Sequence, residues 1–589
     1  MTIKLIRIFL ALALVAVAAS CGPDLEPETG KNPPSTTDPG TDPEPPGSGD
    51  VGNIPSYDNL AAYKSLKSYI DRNAAPDFKL GVAVTVSEFL KKTKEYSMAV
   101  ENFDEMTAGN AMKQSSILRS DGSMNFTQVR NFLNAAQQAG MTVYGHTLAW
   151  HSQQSNEYLR GLVSSKKVPV EPGTGEEILL TADFDDGTYP FNSWGNNSTR
   201  GVEDGAFKVS NPSVVKDYEA QFAADFTEPF VNGQKYLLSF KVKGSSAGGL
   251  LPGFQIVKGY HPAGQFPKVN FDTEWQTVQI EASCTAAGAT RLVFSFGDFA
   301  GDIYVDDFTF KAVGLDYTVT SMNAAEKKEA LTDAMDSWIK AVMQETATQV
   351  SAWDAVNETI SGHDVDGDGF FDLESAQWGS ADNFYWQDYL GSEDYVRIVI
   401  SKARKYYEEC GGTTPLRLFI NDYNLESFWD DNKKLKSLIH WIGIWESDGA
   451  TKIDGIGTQM HISYYEDPNT QKSNEEHVVT MLQLMAGTGK LVKISELDMG
   501  YINKSGQTLK TQNLTDSQHR KMADFYEFIV RKYFEIVPRA QQYGITQWCP
   551  TDSPSGSFWR AGEPTGLWNQ HYNRKYAYAG FANALIASF

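Results

Sequence analysis

Positive charge is scarce in this chain: 51 Lys and Arg stand against 74 Asp and Glu, a formal net charge of −23 at pH 7. So acidic a surface repels phosphate backbones and anionic lipid faces, which excludes nucleic acid and a peripheral membrane surface as partners. A neutral polymer meets no such penalty. Cysteine is nearly absent, with four in 589 residues. Cys284, Cys410 and Cys549 are an odd set in three separate regions, without the spacing of a disulfide framework or a zinc site. They read as small buried hydrophobes. Long apolar runs are missing as well. The one candidate, Ile8 to Ala19 behind Lys4 and Arg7, is too short to span a bilayer and reads as a signal segment.

That run ends Ala18-Ala19-Ser20-Cys21, which resembles a bacterial lipobox. The resemblance implies a signal peptide over 1–20 and lipidation of Cys21 as the mature N-terminus. Residues 21–56 are Pro, Gly, Thr, Ser and acidic residues, with too little to bury to offset their ordering entropy, and are expected to form a flexible tether. Asp24, Glu26 and Glu28 resemble a surface-export signal of some Gram-negative lipoproteins. The expected location is therefore the outer membrane or cell surface of a Gram-negative bacterium, with lipid as the membrane's sole hold on the chain.

Beyond the tether the texture alternates between short apolar runs and helical periodicity. Leu80–Val84, Tyr96–Val100 and Thr142–His146 read as strands, and Phe126–Ala139 has helical spacing. From about Glu176 to Val313 the runs become short, alternating and aromatic, as in Lys235–Val242, Thr277–Glu281 and Asp302–Phe310. Strands at about ten-residue spacing without a helical period predict a β-sandwich. Helical texture returns at about Ala324, and five strand-like segments follow, ending near Glu358, Asn421, His461, Glu496 and Trp548. Three early strands and five late ones make eight, the number that closes a parallel barrel. The expected fold is α/β: a (β/α)8 TIM barrel over 57–165 and 320–589, with a β-sandwich over 175–313 inserted after barrel strand three. Insertion into a surface loop is tolerated.

Two glutamates fall where apolar runs meet solvent: Glu358 after Ala352–Asn357, and Glu496 after Leu491–Ser495. A barrel displays its chemistry at the carboxyl ends of its strands, and two facing carboxylates are the minimum machinery for splitting a glycosidic bond. Asn357 offers an amide for a sugar hydroxyl. Gln459 and His461 project to one side of their strand, where an imidazole would orient a carboxylate and keep it ionised. Asp498 shares a face with Glu496 and would orient that histidine.

These residues resemble the motifs of glycoside hydrolase family 10, the endo-β-1,4-xylanases. Trp353-Asp354-Ala355-Val356-Asn357-Glu358 is similar to the acid/base motif and Ile494-Ser495-Glu496-Leu497-Asp498 to the nucleophile motif. Gly145–Gln153, Asn421–Asn424, Gly457–His461, Asn110–Lys113, and Trp548 with Thr551–Ser553 and Trp559-Arg560 resemble further family segments in the family's order. The resemblance implies a retaining mechanism, with Glu358 as acid/base and Glu496 as nucleophile. It implies that Asn110, Lys113, His146, Trp150 and Gln153 hold sugars on the glycone side, that Tyr423 borders the aglycone side, and that Trp548 and Trp559 close over the substrate. No cofactor is implied. Three positions depart from the family: Gly109 where Glu is usual, Cys549 where Gly is usual, and Ile420 where Tyr is common.

The insertion resembles carbohydrate-binding modules of the family 4, 9 and 22 type, through Phe184-Asp185-Asp186-Gly187, Trp194 and the closing Ile303–Phe308. Trp194, Tyr218 and Tyr260 are the candidate glycan-stacking residues; a spacer role is the alternative. The run His363–Asp372 fits the start of a calcium loop, with Asp364, Asp366, Asp368 and Asp372 as candidate ligands, although Ser375 replaces the closing Glu. A solvated acidic turn is the competing reading. The sequence thus predicts a monomeric, surface-anchored endo-xylanase acting on xylan or xylo-oligosaccharides. A non-catalytic xylan-binding protein and a hydrolase of a related β-glucan are the alternatives.

Overall fold

The computed structural model describes residues 55–589. The signal segment 1–20, Cys21 and all but the last two residues of the predicted tether lie outside the described residues. No helix among the described residues is long and apolar enough to cross a membrane. The chain divides into two compact units, one formed by residues to Val163 together with Ala324–Phe589, the other by Ser164–Asn323.

The first unit is a closed parallel barrel. Its strands are β1 (Lys79–Val84), β2 (Glu105–Ala108), β3 (Thr142–Trp150), β4 (Ala352–Asn357), β5 (Arg417–Asp422), β6 (Gly455–Thr458), β7 (Leu491–Ile502) and β8 (Gln542–Gln547). Each pairs with the next, and β8 returns to β1 through Lys79↔Gly544 and Leu80↔Ile545. A short strand, His461–Tyr465, continues β6 and also pairs with β7. Barrel strands are covered on both faces, so they are almost wholly buried and read as apolar runs rather than alternations. Close packing decides single residues: a Cβ on Gly145 would lie 2.1 Å from the Trp353 indole, so this neighbour of β4 must be glycine.

One strand assignment needs correction. Tyr96–Val100 lies inside a helix, Lys94–Asn102, whose Glu95, Met98, Ala99 and Asn102 are buried at i, i+3, i+4 and i+7. The second barrel strand is Glu105–Ala108, only four residues long and opened by a charge. That charge is compensated inside the barrel. Glu105 Oε1 pairs with Lys493 Nζ at 3.1 Å and Oε2 accepts from the Tyr543 hydroxyl at 2.9 Å. Lys493 also lies over the Tyr144 ring at 3.7 Å, and the Tyr144 hydroxyl reaches Asp354 Oδ1 at 2.6 Å. This network ties β2, β3, β4, β7 and β8 together.

The second unit is a sandwich of two six-stranded antiparallel sheets, together with a two-stranded ribbon of Ser165–Pro169 and Tyr317–Ser321. Alternating Phe side chains fill it, including Phe207, Phe222, Phe254, Phe294 and Phe308; Phe222 and Phe294 stack at 4.5 Å.

Candidate active site

Both strands that deliver the glutamates are irregular there, β4 just before Glu358 and β7 across Glu496. The β4–β5 register slips between Asp354 and Val356, and the β7–β8 register between Ile494 and Leu497. A bulge bends its strand and re-aims the side chain that follows. Glu358 itself sits at φ 52°, in the left-handed region that non-glycine residues enter at a cost of about 1–2 kcal/mol. Its N–H is anchored to the Asn421 carbonyl at 2.8 Å, and the Glu496 N–H to the Gln459 carbonyl at 3.0 Å. Strain held in place by neighbouring strands is a mark of a working position.

The two carboxylates line one cavity, together with Lys113, His146, Trp150, Asn357, Gln459, His461, Trp548 and Trp559. Glu358 Oε2 accepts from Trp150 Nε1 at 3.1 Å, and Oε1 from Gln459 Nε2 at 2.8 Å and Asn357 Nδ2 at 3.3 Å. Glu496 Oε1 accepts from Asn421 Nδ2 at 2.9 Å, while Oε2 lies 3.3 Å from His461 Nε2. Asn421 bridges the two halves, since its Nδ2 also reaches Asn357 Oδ1 at 2.8 Å and its Oδ1 accepts from Ser495 at 2.5 Å. Behind His461, Nδ1 is 3.0 Å from Asp498 Oδ2. Asp498 in turn accepts from Trp559 Nε1 and Arg560 Nη1, each at 2.7 Å.

These surroundings push the two glutamates in opposite directions. Burial, reinforced by the negative charges of Asp422 and Glu496, raises Glu358 above the ordinary carboxyl range against the pull of the Gln459 amide. Burial would raise Glu496 too, but the His461 hydrogen bond and the electrostatic pull of His146, His461 and Lys113 win and hold it below that range. For His461, burial opposes the charge, yet Asp498 and Glu496 bring it up to about 9. Asp498, despite burial, is held down to about 2 by His461 and Arg560. The arrangement therefore drives the proton affinities of two carboxyls apart across one cavity, which is what acid-assisted displacement at an acetal carbon needs.

The sequence profile described as glycosyl hydrolase family 10 matches residues 69–169 and 316–584, more than half the chain. The chain belongs to glycosyl hydrolase family 10. A profile described as carbohydrate binding domain matches 176–297, between the two family 10 stretches. Among curated relatives, endo-beta-1,4-xylanase Xyn10C of Cellvibrio japonicus is 26% identical over 289 residues, 46% of this chain and 43% of that protein. Endo-1,4-beta-xylanase A of Cellvibrio japonicus (strain Ueda107) is 28% identical over 263 residues, 42% of this chain and 39% of that protein. The chain thus matches less than half the length of these relatives. The solved structure of native xylanase10C from Cellvibrio japonicus superposes with a TM-score of 0.51 at 19% identity, over 90% of this chain and 74% of that one, a likeness of fold.

Ten of the fourteen barrel site residues expected from the sequence line the family 10 cavity, and the other four stand around it. Asn110 takes Lys113 Nζ on its Oδ1 at 3.1 Å, and Lys113 lies over the Trp150 ring at 5.2 Å. Gln153 borders a neighbouring recess with Lys113 and Trp150. Asp498 stands behind His461, and Tyr423 lies on the β5 side beneath Lys434 Nζ, 3.2 Å from its ring centre. The Trp548 ring is 5.7 Å from His146 and 6.2 Å from His461. Reading the sequence assigned no role to Asn421, Arg560, Asp354 or Lys434. Asp354 fixes His146 Nδ1 at 2.8 Å, and Lys434 pairs with Asp422 at 2.8 Å while both are buried. Arg560 adjoins Trp559 and Asn421 opens the Asn421–Asn424 motif, the signals that would have flagged them; Lys434 lies on a helix and gave none.

In the inserted unit Trp194 pairs with Gln221 in an edge strand, under the Arg291 guanidinium at 4.9 Å. Because Phe222, Leu292 and Phe294 point into the core, Trp194, Gln221, Arg291 and Ser295 occupy the opposite face of that sheet. Arg291 is held by Asp225 at 2.6 and 2.9 Å, and Gln221 Nε2 donates to Ser295 at 2.9 Å. Tyr218 and Tyr260 are exposed, Tyr218 in the connection that enters this sheet at Gln221 and Tyr260 between two of its strands, Gly248–Ile256 and His261–Gln265. In the acidic loop after β4, Asp364, Asp366 and Asp368 bring carboxylate oxygens within 4.8 Å of one another. Asp372 instead accepts the Val365 N–H at 2.8 Å.

Proposed function

We propose that this chain is a retaining endo-β-1,4-xylanase. The observation that supports it most directly is the pair Glu358 and Glu496, lining one cavity with their proton affinities driven apart. Glu358, protonated at rest, gives its proton to the glycosidic oxygen as Glu496 attacks the anomeric carbon and forms a glycosyl ester. Formation of that ester removes the charge on Glu496, one of the causes that keep Glu358 protonated. Glu358 then falls in pKa and is ready to deprotonate the water that releases the sugar with net retention. His461, fixed by Asp498, steadies Glu496 as the attacking anion. Trp548 and Trp559 suit the apolar face of a pyranose ring. Two carboxylates and water suffice, so no cofactor enters the reaction, and one chain supplies the whole site, which fits a monomer.

Two supporting roles belong to the same proposal. The sandwich face bearing Trp194 and Arg291, with Tyr218 and Tyr260 at its margin, binds the glycan chain. The acidic loop holds a structural calcium ion. The donor set fits a hard cation, since the buried Asp364 Oδ1 has no hydrogen-bond partner, although Lys433 occupies Oδ2 at 2.8 Å. Surface anchoring through Cys21 rests on the sequence.

Kinetics of Glu496→Ala on xylan test the chemistry: hydrolysis is expected to fall by a factor on the order of 10⁴ or more. Proton NMR of fresh wild-type product should show the β-anomer before mutarotation; the α-anomer first would reject retention. Equal sugar release from cellulose and xylan would shift the substrate to a wider class of β-glucans. Release from neither, with retention of both, would leave a binding protein.

A further inference from the structure

Large apolar side chains are seldom left in water without a use when they gather on one rim. Among the described residues of the barrel unit three are conspicuously exposed: Val365 at 68%, Trp429 at 59% and Phe558 at 73%. All three lie in loops that leave the carboxyl ends of strands, those after β4, β5 and β8 respectively. The barrel's outer helices contribute none. Trp429 is the one among them whose neighbours build a support. Its ring meets Phe428 edge-on at 5.3 Å, and Phe428 meets Tyr465 edge-on at 5.3 Å.

The loop beneath this stack is fixed. Leu425, Glu426, Ser427 and Asn432 are buried on either side of the exposed indole. The Asn432 N–H closes onto the Ser427 carbonyl at 2.9 Å, the Asn432 side chain donates to the Leu425 carbonyl at 2.9 Å, and the Ser427 hydroxyl donates to Asp430. An indole displayed on such a base loses little conformational entropy when a ligand stacks on it.

The order of the strands says which part of a substrate would reach it. The cavity walls assigned to the glycone side come from the loop after β2, from β3 and from β8, all on the arc around β1. Glu358 at β4 and Glu496 on β7 divide that arc from the opposite one, β5 and β6. The Trp429 loop follows β5, and Tyr465 ends the extension of β6. Tyr465 is four residues beyond His461 and on the same side of the strand, about 13 Å further out at 3.3 Å per residue. The stack therefore stands on the leaving-group side, several sugar rings from the bond that breaks.

We propose that Trp429, supported by Phe428 and Tyr465, is a remote binding site for a xylosyl residue of the departing chain, and that it favours cleavage of long substrates with long leaving groups. The proposal rests on the xylanase reading, and the test separates the two. The substrates are xylohexaose, which reaches across the rim, and an aryl β-xylobioside, whose single-ring leaving group ends far short of it. Trp429→Ala is expected to lower kcat/KM on xylohexaose by about threefold to tenfold, to shift its products toward shorter leaving groups, and to leave the aryl β-xylobioside unchanged. Trp429→Phe should recover most of the loss. An unchanged xylohexaose rate in the Ala variant, or an equal fall on both substrates, would overturn the remote site while leaving the xylanase reading intact. A wild-type enzyme inactive on both substrates would remove the xylanase reading, and the remote site with it.

Discussion

Glu358 shows how a few neighbours set one proton's affinity. Burial and two acids favour the neutral form, while the Gln459 amide at 2.8 Å favours the anion. Removing that donor in Gln459→Ala should raise the pKa further. The alkaline limb of the kcat/KM profile on xylan is expected to move to higher pH, with kcat reduced; a limb moving down would reverse the assignment. Asp498 offers a second test through stability. His461 is held up to about 9 from 6.5, so its contribution is full below about pH 6.5 and fades as pH rises through 9. Asp498 is held down to about 2 from 3.8, so its contribution is full above pH 3.8 and fades as pH falls through 2. Asp498→Asn breaks this buried set at a cost of about 3 kcal/mol. Thermal unfolding followed across pH should show the largest gap from wild type between about pH 4 and 6.5, narrowing toward pH 9. Residues whose chemistry is declared within a short motif, such as Glu358, His461 and Glu496, were legible from the sequence. Lys434 and Asp354 were not, because their roles exist only through partners on other elements.

The elements owe their precision to local devices. The helix Pro468–Gly487 starts from Asp467, whose carboxylate accepts the Thr470 N–H at 2.9 Å. Asp467→Ala is expected to cost about 1 kcal/mol in denaturant unfolding, without changing hydrolysis of soluble oligosaccharides. A larger loss is expected inside the barrel. Lys493→Met leaves Glu105 buried without its cation and should cost about 3–5 kcal/mol in the same measurement; a loss under 1 kcal/mol would show that Tyr543 suffices. The same pair explains why β2 was misread. A four-residue strand beginning with glutamate has no apolar signature, and its compensation comes from a lysine 388 positions away. The apolar run Tyr96–Val100 offered a stronger strand-like pattern, but its buried positions follow a helical period. Long runs such as those before Glu358 and Glu496 were legible because both faces of a barrel strand are covered.

At the scale of the whole molecule, the two units have separate hydrophobic cores. Replacing residues 164–323 with a short Gly/Ser link should therefore leave a folded barrel that hydrolyses xylohexaose within about threefold of wild type. Retention on insoluble xylan, measured by pull-down, should fall sharply; unchanged retention would make the sandwich a spacer. The change of texture near Glu176 and its reversal near Ala324 made this division legible. Which sandwich face holds Arg291 beside Trp194 was not, since only strand pairing brings them together. The interruption also sets a timetable. Strands β1 to β3 are synthesised first, but their barrel stays open until β8, more than 450 residues after β1 begins, reaches Lys79. At about 5–20 residues per second the ribosome spends on the order of ten seconds or more on residues 164–323 alone. The contiguous sandwich can complete itself in that interval, while the opening third of the barrel waits with its apolar faces uncovered until β8 arrives.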